Sequence, residues 1–220
     1  IDYMFIIYAQ KSISIENSKL ERCGGIRLDP EMNQIERITM TNITIVGSKF
    51  GIICSNNTAK TTTSTSNCVI TVENFVLKEL REALFIITEG DEINLKSGHI
   101  SHCDCSNSND EVEGIVVIKI SQDSPGESVM IDKVEFADNS FSREETGESS
   151  SESSCGSIKI VITSSITQTQ SDPMNLEFKE CNFERNLVHN SEGSCIYIDA
   201  LNQTTTSFSL KECEFLKNDI

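Results

Sequence analysis

One pattern recurs seven times along the 220 residues, and it constrains the chain more than any other feature. Each row runs apolar, x, apolar, x, x, small or apolar, x, apolar. The first row reads Ile13-Ser-Ile15-Glu-Asn-Ser18-Lys-Leu20, and the last reads Phe208-Ser-Leu210-Lys-Glu-Cys213-Glu-Phe215. Rows starting at Ile38, Ile70, Ile93, Val129 and Leu176 lie between them, so successive starts are 25, 32, 23, 36, 47 and 32 residues apart. Within a row the apolar residues alternate, shift phase over a two-residue step, and alternate again. Period two predicts strand, and the step predicts a bend between two short strands. A second element, small and then β-branched, follows each of the first six rows: Cys23–Leu28, Phe50–Ile53, Ala83–Ile87, Gly114–Ile120, Cys155–Ile162 and Gly193–Ile198.

Three short strands and three turns per repeat, joined by connections of unequal length, describe a coil of a parallel β-helix. Long connections are tolerated because a loop leaving the coil lengthens at little entropic cost. The expected fold is all-β: a right-handed single-stranded parallel β-helix of about seven coils, with residues 1–220 as one domain. Right-handedness follows from the general preference of parallel crossovers. An antiparallel two-sheet sandwich would also supply many short strands. It would not put like residues in the same slot of successive rows. Here Phe136, Phe183 and Phe215 share a slot, as do Cys181 and Cys213, and Asn139, Asn186 and Asn218 share another. In the early rows Asn17, Asn42 and Asn74 share the bend slot. In-register stacking turns such slots into amide ladders and ring stacks.

Phe136-Ala-Asp-Asn139, Phe183-Glu-Arg-Asn186 and Phe215-Leu-Lys-Asn218 resemble the FxxN element of polymorphic membrane protein repeats, and Gly24-Gly25-Ile26 resembles their partner GG-I element. The resemblance implies a right-handed β-helical surface protein of adhesin type. The chain departs from the family pattern in its first four rows, which lack FxxN, and at Ala83-Leu84, Glu113-Gly114 and Cys155-Gly156, which replace Gly-Gly. The membrane barrel that such proteins often carry has no counterpart here.

Charge narrows the function. With 18 Lys and Arg against 34 Asp and Glu the net charge is −16, which opposes both nucleic acid and anionic membrane surfaces. No apolar run approaches the roughly 20 residues a membrane helix needs, so no direct membrane insertion is expected. Many β-helices cleave polysaccharides, which requires carboxylates gathered on one outer face. The outward columns are Ser14, Thr39, Thr71, Asn94, Met130, Glu177, Ser209; then Glu16, Thr41, Glu73, Lys96, Asp132, Lys179, Lys211; then Lys19, Thr44, Val76, His99, Glu135, Asn182, Glu214. The nearest approach to a site is Asp132 and Glu135 beside Lys179, which reads as a solvated mixture of charge. No cofactor and no catalytic residue is expected. His99, His102, Cys103, Asp104 and Cys105 form the one cluster with metal-binding chemistry, but Cys-x-Cys is too tight for the usual zinc pair.

Nine cysteines are an odd number, so at least one has no partner within the chain. Stacked Cys181 and Cys213 read as small core hydrophobes. Cys155 and Cys195 are expected at one corner of consecutive coils. Cys54 and Cys68 bracket a polar loop and are the candidate disulfide. Protruding loops are expected near 55–67, 106–112, 142–154, 163–173 and 200–206, rich in Ser, Thr, Glu and Gln. Asn56 and Asn202 are candidate glycosylation sites on those loops, whereas the sequon at Asn42 sits in the ladder.

The chain starts at Ile1 inside an apolar stretch and carries no amphipathic cap, so it is expected to be a piece of a longer chain that meets other chains through uncapped coil ends. The expected function is a non-enzymatic extracellular or cell-surface structural or adhesin-type module, with host or matrix glycans as further partners. The alternatives are a pectate-lyase-like carbohydrate-active enzyme and an intracellular β-helix scaffold.

Overall fold

The computed structural model describes residues 5–7, 11–28, 36–54, 68–81, 85–88, 92–104, 114–121, 128–142, 156–163, 173–189, 194–200 and 206–219. All regular structure among them is β-strand, and every strand pairing is parallel.

The seven sequence rows build one sheet in chain order. Five are ten-residue strands: Ser12–Glu21, Arg37–Val46, Val69–Lys78, Glu92–Ser101 and Ser128–Ala137. The last two are split at the bend, into Met174–Lys179 with Asn182–Glu184 and Thr206–Lys211 with Glu214–Leu216. Register follows the row pattern throughout. Ile13 pairs with Ile38, then Ile70, Ile93, Val129, Leu176 and Phe208. The outward columns form in the same register, so Ser14 opens a line ending at Ser209 and Lys19 one ending at Glu214.

The second elements form a seven-stranded sheet: Phe5–Ile7, Ile26–Leu28, Ile52–Cys54, Phe85–Thr88, Gly114–Ser121, Gly156–Thr163 and Ser194–Ala200. Its first member comes from the apolar stretch near Ile1. The chain therefore alternates between the two sheets, one strand of the second sheet leading into each row of the first. A third, two-stranded sheet pairs Ser140–Ser142 with Leu187–His189, and single bridges join Asp104 to Ser140 and Leu187 to Asp219.

Fourteen left-handed residues explain how a row bends and turns. Asn17, Asn42, Asn74, Ser97, Lys133, Glu180 and Glu212 have φ between 50 and 57° and occupy the bend of successive rows. Five residues further on, Arg22, Gly47, Glu79, His102, Asp138, Arg185 and Lys217 have φ between 51 and 62° and end the rows. Left-handed backbone costs an ordinary L-residue roughly 1–2 kcal/mol. Stacking offsets that cost, because the turned N–H reaches the next row: Arg22 donates to the Val46 carbonyl at 2.9 Å and Arg185 to the Leu216 carbonyl at 2.9 Å.

The core lies between the sheets. Ile26, Ile52, Val116 and Ile158 from the second sheet are at most 1% exposed, as are Ile38, Met40, Val72, Leu95, Ile131 and Phe178 from the first. Size is balanced along a column: Phe75 pairs with Gly98, and a Cβ on Gly98 would overlap the Phe75 ring. In Gly24-Gly25-Ile26 the second glycine has φ +111°, and a Cβ there would sit 2.6 Å from the Phe50 carbonyl oxygen. That position admits only glycine.

Most of the expected loops lie outside the described residues. At their margins Ser142, Thr163, Ala200 and Thr206 belong to strands instead, because they continue the parallel pairing of their neighbours.

Candidate functional site

The slot after each row ending carries a polar column. Asn139 and Asn186 are 1% and 2% exposed. Asn186 Oδ1 accepts from the Asn139 backbone N–H at 3.3 Å and from Asn139 Nδ2 at 3.0 Å. Asn186 Nδ2 donates to the Phe136 carbonyl at 2.8 Å and to Asn218 Oδ1 at 3.0 Å. The Asn186 backbone N–H also donates to Asn218 Oδ1, at 3.0 Å. Each asparagine thus reaches back one row. In earlier rows the slot holds Ser48, whose Oγ accepts from the Cys23 backbone N–H at 3.2 Å, and Cys103, whose N–H donates to Asn139 Oδ1 at 3.1 Å.

Beside this column run the rings of Phe136, Phe183 and Phe215, stacked at 4.8 and 4.9 Å with 2° between planes. In the bend column Asn42 Nδ2 donates to Asn17 Oδ1 at 2.8 Å, and Asn74 shares their backbone turn.

The charged groups of the outer face are engaged across rows. Arg185 holds Asp138 through both guanidinium edges, Nε to Oδ1 at 2.6 Å and Nη2 to Oδ2 at 2.7 Å, and also pairs with Glu184. That contact keeps the Asp138 carboxyl below the usual range. Lys211 Nζ meets Glu177 Oε1 at 2.7 Å, and both line a groove of about 440 Å³ together with Ser128, Met130 and Ser209. Lys179 turns to Glu180 at 3.2 Å, which raises the ammonium and lowers the carboxyl, and the charge of Asp132 adds to the rise of the ammonium.

The metal cluster does not assemble. His99 Nδ1 lies 2.9 Å from Glu135 Oε2, and His102 Nε2 lies 4.0 Å from Asp138 Oδ2. Cys103 follows the left-handed His102, so its thiol turns into the core and donates to the Ser101 carbonyl at 3.1 Å. Among the described residues no three His, Cys, Asp or Glu side chains converge. Cys105, Asn56 and Asn202 lie outside the described residues.

Cys23, Cys103, Cys181, Cys195 and Cys213 carry free thiols, while Cys54 ends a strand of the second sheet and Cys68 directly precedes the row strand Val69–Lys78. Burial pushes the Cys54 thiol up to about 12, and the neighbouring Cys68 adds to the shift. Burial likewise pushes Cys103 and Cys181 up to about 12. Cys181 and Cys213 occupy successive rungs, Sγ of each donating to a carbonyl of the row before, Ile131 at 3.2 Å and Phe178 at 3.5 Å. The register pairs Ser194 with Gly156 and Ile196 with Ile158, which sets Cys195 opposite Ser157; Cys155 lies outside the described residues.

Among the described residues the large exposed apolar side chains gather in one place. Phe208, Leu210, Phe215 and Leu216, all in the seventh row, are 45–46% exposed. With Ile196 and Ile198 of the last second-sheet strand, Phe208, Leu210 and Phe215 line an open hollow of about 620 Å³. The residues one row earlier, Leu176, Phe178 and Phe183, are at most 1% exposed. The hollow is not legible in the sequence, because it needs both sheets to be placed. No family model, curated protein or solved structure matches the chain.

Proposed function

We propose that the chain is a right-handed single-stranded parallel β-helix of about seven coils and serves as a non-enzymatic structural or adhesin-type module of the cell surface. It joins neighbouring chains or domains through its coil ends. The observation that carries this reading is the stack itself: seven rows pair in parallel and in register around one core, and Asn139, Asn186 and Asn218 bond along it. The engagement of outer-face charges across rows supports a scaffold over a catalytic cleft, and the resemblance to polymorphic membrane protein repeats supports a surface setting with glycans among the partners. The free thiols of Cys23, Cys103, Cys181, Cys195 and Cys213 favour a second reading, an intracellular scaffold.

Thiol titration of the chain isolated from its native cells separates the two. Fewer than nine reactive thiols after denaturation support the surface module, and all nine support the intracellular one. Incubation with polyuronides, with and without calcium, is expected to leave the polymers intact. Cleavage would establish the carbohydrate-active alternative.

A further inference from the structure

Two outward columns of the first sheet meet in the groove of about 440 Å³. In the first column Ser128 pairs with Asn175, and Asn175 with Ser207. In the second, Met130, Glu177 and Ser209 stand in line. Each rung therefore turns a short hydroxyl or amide towards the groove, at about 4.8 Å per rung. In the fourth row the same columns hold Glu92 and Asn94, which satisfy each other at 2.8 Å, with Asn94 only 6% exposed. The groove is lined from the next row onward.

These polar groups differ from the asparagine column in being unused. Asn139 and Asn186 commit their amides to neighbouring rows. Among the described residues the hydroxyls of Ser128, Ser207 and Ser209 and the amide of Asn175 have no hydrogen-bond partner, so none of them ties one row to another. Hydroxyls and amides both donate and accept. Charge within the groove is balanced, since Lys211 meets Glu177 at 2.7 Å. The chain around it carries −16, which repels a polyanion. Met130 adds a thioether that adapts to an apolar surface. The ligand that matches is uncharged, rich in hydroxyls and extended along the stack, with C–H surface between its polar groups.

We propose that this groove binds an uncharged oligosaccharide lying along the stack. The inference rests on the surface-module reading above and gives its glycan contact a place on the chain. Asn175 and the three serines bond sugar hydroxyls rung by rung. The Glu177 carboxylate accepts from a pair of neighbouring hydroxyls, and Met130 packs against the C–H face of a ring. Among the described lining residues Glu177 is the only carboxylate, and Lys211 holds it. Glycoside hydrolysis needs two carboxylates, so the sugar is bound and not cleaved.

Calorimetric titration of the 220-residue chain with cellotriose, maltotriose and chitotriose in its N-acetylated form tests this, with trigalacturonate as the charged probe. At least one neutral trisaccharide is expected to bind with a Kd of about 1 mM or below, and trigalacturonate about tenfold more weakly than that sugar. Asn175→Ala is expected to weaken the binding about fivefold and Glu177→Gln about tenfold. Thr71→Ala, in the Met130 column two rows away, is expected to leave it unchanged. Urea midpoints of the variants show that each is folded. No heat with any of the three neutral sugars, an affinity indifferent to Asn175→Ala and Glu177→Gln, an equal loss in Thr71→Ala, or tighter binding of trigalacturonate would overturn the proposal. The surface reading itself stands or falls on the thiol titration, so the two failures are distinguishable.

Discussion

Asn186 uses every hydrogen-bonding position of its side chain at 2% exposure, two as donor and Oδ1 twice as acceptor. Truncation leaves the Asn139 N–H, the Asn139 amide and the Phe136 carbonyl without that partner in a region water does not reach. Leaving buried polar groups unmet costs about 1–3 kcal/mol each. Asn186→Ala is therefore expected to lower unfolding free energy by about 3 kcal/mol or more, read from urea denaturation. A loss under about 1 kcal/mol would mean that the column is not stacked as described. The row spacing made the shared slot of Asn139, Asn186 and Asn218 legible in the sequence. The direction of their bonds was not legible, because an amide in a column can reach forward or back until the backbone on either side is placed.

The row is the element of this protein, and its two left-handed turns are its defining backbone feature. The first turn shows in the sequence as Asn17, Asn42 and Asn74, since asparagine tolerates this conformation better than most residues. The second does not, because Arg22, Glu79, His102, Asp138 and Arg185 share no chemistry. There the conformation is held by an N–H bonded to the next row, a cause outside the row itself. Ser97 occupies the first turn at φ 54° and is exposed, between Asn74 and Lys133 in the column. Ser97→Asn should thus stabilise the chain by about 0.5–1 kcal/mol, seen as a higher urea midpoint at unchanged slope. A lower midpoint would count against local backbone preference as the limiting term at this turn. The strand Phe5–Ile7 belongs to the same scale: its apolar run was visible, but only pairing with Ile26–Leu28 made it part of the second sheet.

At the scale of the whole molecule the two sheets share one core, and three of its thiols come from different parts of it: Cys54 ends a second-sheet strand, Cys103 follows a row end and Cys181 lies in a bend. Each is pushed up to about 12 by burial, against about 8.5 in an unfolded chain. A pKa raised by folding stabilises the native state fully below the unfolded value and loses that contribution as pH rises towards the folded one. Stability should hold to about pH 8 and then fall, by about 1.4 kcal/mol per pH unit for each thiol as it ionises in the unfolded chain. Urea midpoints measured up to about pH 10.5 check this, and Cys181→Ala should remove about a third of the slope. A flat profile would place these thiols in contact with water.

Period-two alternation, the two-residue step and the seven-fold recurrence by themselves determined the strands, their parallel register and the residues stacked in each column, because those depend only on positions along the chain. Tertiary structure alone decided which way each column bonds, that His102 and Cys103 face opposite ways, and that Phe208, Leu210 and Phe215 line a hollow with Ile196 and Ile198. Each of those outcomes is set by neighbours in other rows or in the other sheet, and no pattern within one row carries that information.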